Sequence, residues 1–474
     1  MSKTSHAQIQ QLNQLLGDGG VLTGNDCLPY ESGARFDVGK AAFVLRPATV
    51  SELSAAVSFC VRNSISIIPQ SANTGVVAGS TPDPSGTQAV VSLERLRNRF
   101  EIDTENRSVH LDAGFRLSEV NARLEQYGLF FPIDLGADPL VGGMIATNTG
   151  GARFIRYGDV RRNTLGLTVV FADENGSVVK LGSSLRKNNV GVDWKQLFIG
   201  TCGVFGIVAE CVLNLEPVPQ QVATALLVPK SLDAVLPLLD LIERRAGPSL
   251  SAFEGMSGNA IAAALAHVPR LKNPFSRRDH PEYAILVEIS RSWEAQQSEM
   301  PIDEQLQTML SELWESNNEL LEDVLFGPSH ELWALRHAIS EGVKAVGKLV
   351  ALDIAFKRGD VMRFLKRMRT ELPAAFPGVQ ICEFGHIGDG GVHFNLVVDR
   401  HSANAADPDY ERRIRSLVYN IVVNEYGGSF SAEHNIGRKN QAYYDLFTDD
   451  SLKKLSAALK RSTSPSILGV PVLW

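Results

Sequence analysis

The sequence predicts an α+β chain of more than one domain, and three observations carry that reading. Its 474 residues exceed what a single hydrophobic core holds, so two or three domains are expected. Short β-branched and apolar runs alternate with amphipathic helical stripes through the first half. Near residues 217–221 glycine-rich loops give way to longer helices, which places a domain boundary there.

The elements follow in order. Thr49 with Glu52 three residues on forms a capping pair, and Leu53, Val57 and Val61 share one face of the helix it opens. Ile65, Ile67 and Ile68 read as a strand closed by Pro69, and residues 89–93 and 108–111 read as two more. Leu117, Val120 and Leu124 mark another helix. Asn175-Gly176 between two apolar runs predicts a type I′ hairpin over 167–181. Beyond the boundary, helices are expected over 232–245, 303–325 and 331–346, with strands over 283–289 and 349–356. A third region opens near Asp409. There Ile414, Leu417, Val418, Ile421 and Val422 line one helical face until Gly427 and Gly428 stop it.

Composition is that of a globular protein, 44% apolar and 21% charged. No apolar run approaches the roughly 20 residues that span a bilayer. Residues 1–14 are polar and lack a basic-then-apolar signal pattern, so a cytoplasmic location is expected. A net charge of −7 argues against nucleic acid as a main partner. The basic stretch 270–280, with Lys272, Arg277 and Arg278, reads as a solvated loop. Cys27, Cys60, Cys202, Cys211 and Cys382 are odd in number and scattered, with no CxxC, which disfavours a disulfide framework, a zinc ribbon and an iron–sulfur cluster.

Two loops stand out: PQSANTGVVAGS at 69–80, directly after a strand, and DLGADPLVGGMIATNTGG at 134–151. A backbone lying against a pyrophosphate needs small residues and N–H groups that can donate, and both loops supply them. A pair of ordinary tight loops is the other reading. Neither GxGxxG after a strand nor GxxxxGK[ST] occurs, which disfavours a Rossmann-type NAD enzyme and a P-loop NTPase.

GHIGDGGVHFN at 385–395 is the sharpest local signal. Its glycine turn can bring His386 and His393 together. The alternation that follows puts His393 and Asn395 on one face of a strand and Phe394 and Leu396 on the other. SFSAEHNIG at 429–437 sets Glu433 beside His434. Two histidines and a glutamate are a common catalytic zinc set with one position left for substrate, and His434 would remain for proton transfer. Histidines that merely bond the backbone near glycine turns are the alternative. In ELWALRHAIS, Arg336 could clamp a carboxylate or form a surface ion pair, with Ser340 one turn later.

Together these segments resemble the D-2-hydroxyglutarate dehydrogenase and D-lactate dehydrogenase branch of the vanillyl-alcohol-oxidase (PCMH-type) flavoproteins, over about residues 45–444. The resemblance implies an FAD domain of two α+β subdomains (1–218), a substrate domain with a largely antiparallel sheet (219–425) and a C-terminal helical segment returning to the flavin (426–474). Noncovalent FAD would lie against Pro69, Ser71, Ala72, Asn73, Thr74, Gly75, Gly79 and Ser80. Gly142, Gly143, Ala146, Thr147, Asn148, Gly150 and Gly151 would continue the cradle, with Tyr157, Gly158, Gly206, Ile207 and Val208. His386, His393 and Glu433 match the ligands of a divalent metal, zinc or manganese. Arg336, Ser340 and Asn395 match the contacts to a small 2-hydroxy acid, and His434 matches the base.

D-2-Hydroxyglutarate leads D-malate and D-lactate as substrate, because Asn73-Thr74-Gly75 most resembles that subgroup. The reduced flavin would pass electrons to an electron-transferring flavoprotein or a quinone, and a homodimer is compatible with the resemblance. A flavin-binding subunit of a larger electron-transfer complex is the rival reading. The sequence departs from the pattern at Ser71, Ala72 and Ala78 for glycine, Cys202 for glutamate, Ser340 for threonine and Ala351 for a substrate-binding lysine. The ending at 466–474 also lacks the usual Asn-Pro-Gly-Lys.

Overall fold

Parallel strands need a crossover, and the capped helix of the first half provides one. Thr49 Oγ1 accepts from Glu52 N at 3.1 Å, and the Glu52 carboxylate reaches back to Ala48 N at 2.8 Å. The helix Val50–Arg62 buries Leu53, Ala56, Val57 and Cys60, with Val61 at the edge of the stripe. It connects Ala41–Leu45 to Ile67–Gln70, which both pair in parallel with Gln88–Ser92 between them. Val21–Leu22 adds an antiparallel edge. Ile65 closes the preceding helix through its N–H to the Cys60 carbonyl, so the strand starts two residues later than its apolar run.

The computed structural model describes residues 6–35, 38–275, 280–465, 469 and 471–473. Expectations for Arg277 and Arg278, and part of those for the two chain ends, lie outside these residues. Contacts divide the chain into two units. The first comprises the chain up to Gly150, Asp159–Val218, and the stretch from Glu433 onward. Beside the parallel sheet it holds a five-stranded antiparallel sheet in the order Phe100–Asp103, Ser108–Asp112, Ile207–Asn214, Thr164–Val170, Val178–Gly182. Phe43, Leu53, Leu111, Phe131, Val169 and Ile207 belong to one core beneath both sheets. The helix Asp450–Thr463 docks at its end: Lys460 Nζ donates to the Val204 carbonyl at 2.8 Å, and Ser464 Oγ donates to that of Phe205 at 2.9 Å.

The second unit comprises Gly151–Gly158 and Pro219–Ala432. Its sheet is antiparallel throughout the described residues. Leu321–Phe326, Gln221–Pro229, Tyr283–Arg291 and Leu250–Ser257 are followed by Phe384–Gly385, Gly391–Val398 and Lys348–Ala355. The helices Gly258–His267 and Ser329–Val346 share a core with it through Ile261, Ala264, Leu335 and Ile339.

Three expectations are corrected. The helix over 303–325 is a helix, Ile302–Ser316, capped by Asn317, and then an edge strand, Leu321–Phe326, because pairing with Gln221–Pro229 outweighs local periodicity. The hairpin over 167–181 forms, but without a two-residue type I′ turn. The Asp173 carboxylate captures the N–H groups of Asn175 and Ser177, both at 3.0 Å, and only Gly176 of the expected pair takes positive φ. The domains are not contiguous: 151–158 groups with the second unit, and the C-terminal stretch of the first unit starts at Glu433 instead of 426.

Candidate active site

In the first unit, residues 71–80 leave the carboxyl end of a parallel strand, where open α/β sheets place ligands. Asn73 and Ala78 take left-handed backbone, φ +53° and +60°. Asn73 holds its place by donating from Nδ2 to the Ser32 carbonyl at 2.7 Å and accepting from Ser80 Oγ at 2.8 Å. From Ala72 to Gly79 no backbone N–H finds an acceptor among the described residues. A Cβ on Gly75 would meet nothing within 4 Å. N–H donors grouped about the open position at Gly75 are what an anion cradle requires.

The second glycine loop lies against the first. A Cβ on Gly143 would come within 2.9 Å of Ser71 Cβ, so the glycine is a condition of their approach. Gly142 and Gly143 begin the short helix Val141–Thr147, which also carries Ala146 and ends at left-handed Asn148, φ +54°. Asn148 Nδ2 donates to Asp159 at 2.8 Å, and Thr147 and Thr149 hydroxyls lie 3.0 Å apart next to Gly150. Ile207 and Val208 are buried in their strand, paired with Val170 and Val169, and Gly206 N donates to the Gly203 carbonyl at 3.2 Å.

The stretch after Glu433 is seated on the 69–80 loop and on the turn at Gly200. Asn435 Nδ2 donates to the Gly200 carbonyl at 2.8 Å, and Lys439 N donates to that of Val77 at 3.1 Å. Gly437 sits at φ +53°, where a Cβ would run into the Val77 carbonyl oxygen. Cys202 lies between, its Sγ 3.5 Å from the position of a Cβ on Gly79. Burial pushes its thiol up to about 12, opposed by a hydrogen bond with the Gly437 backbone, so it is a neutral packing group at pH 7.

In the second unit, Gly391–Val398 and Lys348–Ala355 pair with His393 opposite Asp353 and Asn395 opposite Ala351. These four share one face. Phe394 turns the other way, with Phe364 at 5.2 Å between ring centroids. The turn closes because the His386 carbonyl accepts the N–H groups of Asp389, Gly390 and Gly391. The two imidazoles end with centroids 5.3 Å apart and planes at 80°.

His386 Nδ1 hydrogen-bonds Glu254 Oε1 at 2.8 Å, whereas His393 Nδ1 approaches Asp353 Oδ1 at 3.3 Å, an ion-pair distance without a hydrogen bond between these two atoms. Glu254 is 1% exposed and accepts Nε and Nη2 of Arg336 on its other oxygen, at 2.9 and 2.6 Å. Burial alone would raise the Glu254 carboxyl, but the charges of His386 and Arg336 outweigh it and hold it down to about 2. The Phe384 ring packs 4.7 Å from the same guanidinium. Arg336 is therefore neither a surface ion pair nor an open clamp: among the described residues only its Nη1 edge is uncommitted. Ser340, one turn on, is exposed, and Asn395 is buried.

Tyr157 and Gly158, expected beside the cofactor, follow Gly151 in the segment that groups with this unit. There Arg153 pairs with buried Glu288 at 3.0 Å and Arg156 Nη1 donates to the Ser290 carbonyl at 2.6 Å. Ala432, the last residue of the unit, donates its N–H to the Asp353 carbonyl at 3.1 Å, and Glu433 and His434 follow it directly. Sequence reasoning missed Glu254 and Glu288 and left Asp353 without a role. The available signal was a lone carboxylate inside each apolar strand run, AFEGM and ILVEIS, since such a group is buried only with partners.

Comparison with known proteins decides the family. Residues 41–182 match the FAD binding domain, and residues 218–468 match the C-terminal domain of FAD linked oxidases. The chain belongs to the FAD-linked oxidases. Among curated relatives of this FAD-linked oxidase, the D-2-hydroxyglutarate dehydrogenase of Xanthomonas citri pv. viticola is 30% identical over 426 residues, covering 89% of this chain and 86% of that protein. The mitochondrial D-2-hydroxyglutarate dehydrogenase of Rattus norvegicus is 30% identical over 434 residues, covering 90% and 77%. The solved structure of p-cresol methylhydroxylase with substrate bound aligns with a TM-score of 0.70 at 15% identity, over 98% of this chain and 96% of that one, so the fold is PCMH-type α+β. The cofactor is FAD, and the N–H donors of residues 72–79 fit its pyrophosphate. No described helix is long and apolar enough to cross a membrane.

Proposed function

We propose that this FAD-linked oxidase is a D-2-hydroxy acid dehydrogenase that uses a divalent metal and acts on a small substrate, D-2-hydroxyglutarate before D-malate or D-lactate. The relatives' printed names support the substrate class. The single observation that carries the metal is His386, oriented by the buried Glu254 carboxylate with its ring 5.3 Å from that of His393. Metal-ligating histidines characteristically give their second nitrogen to a carboxylate, which fixes tautomer and ring direction, and His386 does so with Glu254 while Asp353 lies 3.3 Å from His393 Nδ1.

In this reading His386 and His393 bind through Nε2, and Glu433 completes the ligand set. FAD, when bound, would supply the hydride acceptor, and a cation, zinc or manganese, would supply the charge that makes a substrate hydroxyl more acidic. The chain's own residues do the rest. His434 accepts the hydroxyl proton. Arg336 offers Nη1 to the substrate carboxylate, with Ser340 and Asn395 as further polar contacts. An electron-transferring flavoprotein or a quinone would reoxidise the flavin.

The test is anaerobic bleaching of the flavin by both enantiomers of several 2-hydroxy acids. The wild type is expected to bleach with D acids. His434→Ala is expected to keep its FAD and bleach at least about 100-fold more slowly, the usual worth of a positioned base. Unchanged bleaching would remove His434 from the mechanism.

A further inference from the structure

We infer that Glu254 is a positioning residue that sets two functional groups at once, aiming His386 with one carboxylate oxygen and holding Arg336 with the other. The inference rests on the metal reading above and goes beyond it. Glu254 lies in the strand Leu250–Ser257, 1% exposed, and its two oxygens are divided between the two partners. A carboxylate is rigid and planar. If it rotates to follow the guanidinium, the oxygen bonded to the imidazole moves with it. His393 has its own carboxylate in Asp353, so the coupling is specific to His386.

The division has a functional consequence. Bonding of Nδ1 to Oε1 makes that nitrogen the donor and leaves Nε2 as the lone-pair nitrogen a metal requires. The fork of Nε and Nη2 on Oε2 turns the Nη1 edge of Arg336 into the direction an anion would meet. Cation binding at His386 and anion binding at Arg336 therefore share one hinge, and a change at either is felt at the other although no bond joins them.

The isosteric Glu254→Gln has one acceptor oxygen and cannot serve both donors. Zinc titration of the metal-stripped, FAD-loaded protein against a chromophoric chelator is expected to show affinity falling about 10- to 100-fold, the usual effect of losing such a partner. KM for the D-2-hydroxy acid should rise, with FAD content unchanged, and Glu254→Asp should restore part of the zinc affinity. Arg336→Lys tests the coupling in a chain that keeps Glu254. Lysine cannot form the fork, so zinc affinity should fall several-fold although residue 336 is no ligand.

Wild-type zinc affinity and KM in folded Glu254→Gln would overturn the inference. So would a lowered melting temperature with both constants unchanged, which is what a merely structural role predicts. If Glu254→Gln does not fold, unchanged zinc affinity in Arg336→Lys overturns it. If the wild type binds no zinc, the metal reading itself fails, and the two failures are distinguishable.

Discussion

Lys460 shows how much a single buried charge weighs in this protein. It is 5% exposed, and burial lowers its ammonium from 10.5 to about 7. Each pKa unit corresponds to about 1.4 kcal/mol, so burial costs the charged form on the order of 5 kcal/mol. Between pH 7 and 10.5 the unfolded chain holds this proton and the folded chain does not, so stability contributed here rises with pH across that window. Below pH 7 the whole cost is present. Lys460→Met is therefore expected to raise the melting temperature by several degrees at pH 6, with the gain shrinking towards pH 10. A gain that does not depend on pH would show that Lys460 is not buried in charged form. Glu254 is the opposite case, since its interactions with His386 and Arg336 outweigh its burial.

At the scale of elements, two seats matter. In the second unit, the register of Gly391–Val398 against Lys348–Ala355 decides which residues face the site. A slip of one residue would send His393 into the core and bring Phe394 out. That alternation was legible in the sequence because a strand's period is set by local backbone geometry. In the first unit, the stretch after Glu433 rests on the 69–80 loop only because Gly437 is left-handed and lacks a side chain. Gly437→Ala must adopt a strained backbone or push the Val77 carbonyl aside, at a cost of about 1–3 kcal/mol. The variant is expected to fold yet lose FAD on gel filtration, with a dissociation constant raised at least about tenfold. Full FAD retention would mean that the two segments separate without cost to the cradle. The 303–325 stretch shows the opposite limit, because its last residues keep helical spacing while a neighbouring strand takes them as an edge.

For the whole molecule, chain order and spatial grouping part company. The first unit is assembled from three stretches, and its C-terminal one supplies Asn435, Lys439, Lys460 and Ser464 as partners of the Gly200, Val77, Val204 and Phe205 carbonyls. A chain ending at Ala432 leaves every strand of the second unit in place and strips those partners from the first. We expect it to be purified without flavin, read as the loss of visible absorbance. A yellow truncated protein would show that the C-terminal stretch is dispensable for FAD.

What the sequence determined by itself was everything that depends on neighbours along the chain: the helical stripes, the strand alternation, the glycine loops, and the chemical types of His386, His393, Glu433 and His434. It could not reveal that Glu254 would meet His386 across 132 residues and Arg336 across 82. Nor could it show that residues 433–440 would rest on loops more than 200 residues earlier. Spacing fixes direction over a few residues, because backbone geometry repeats at 2.0 and 3.6 residues. Which carboxylate faces which cation is decided by strand order in the sheet, and only the tertiary structure sets that.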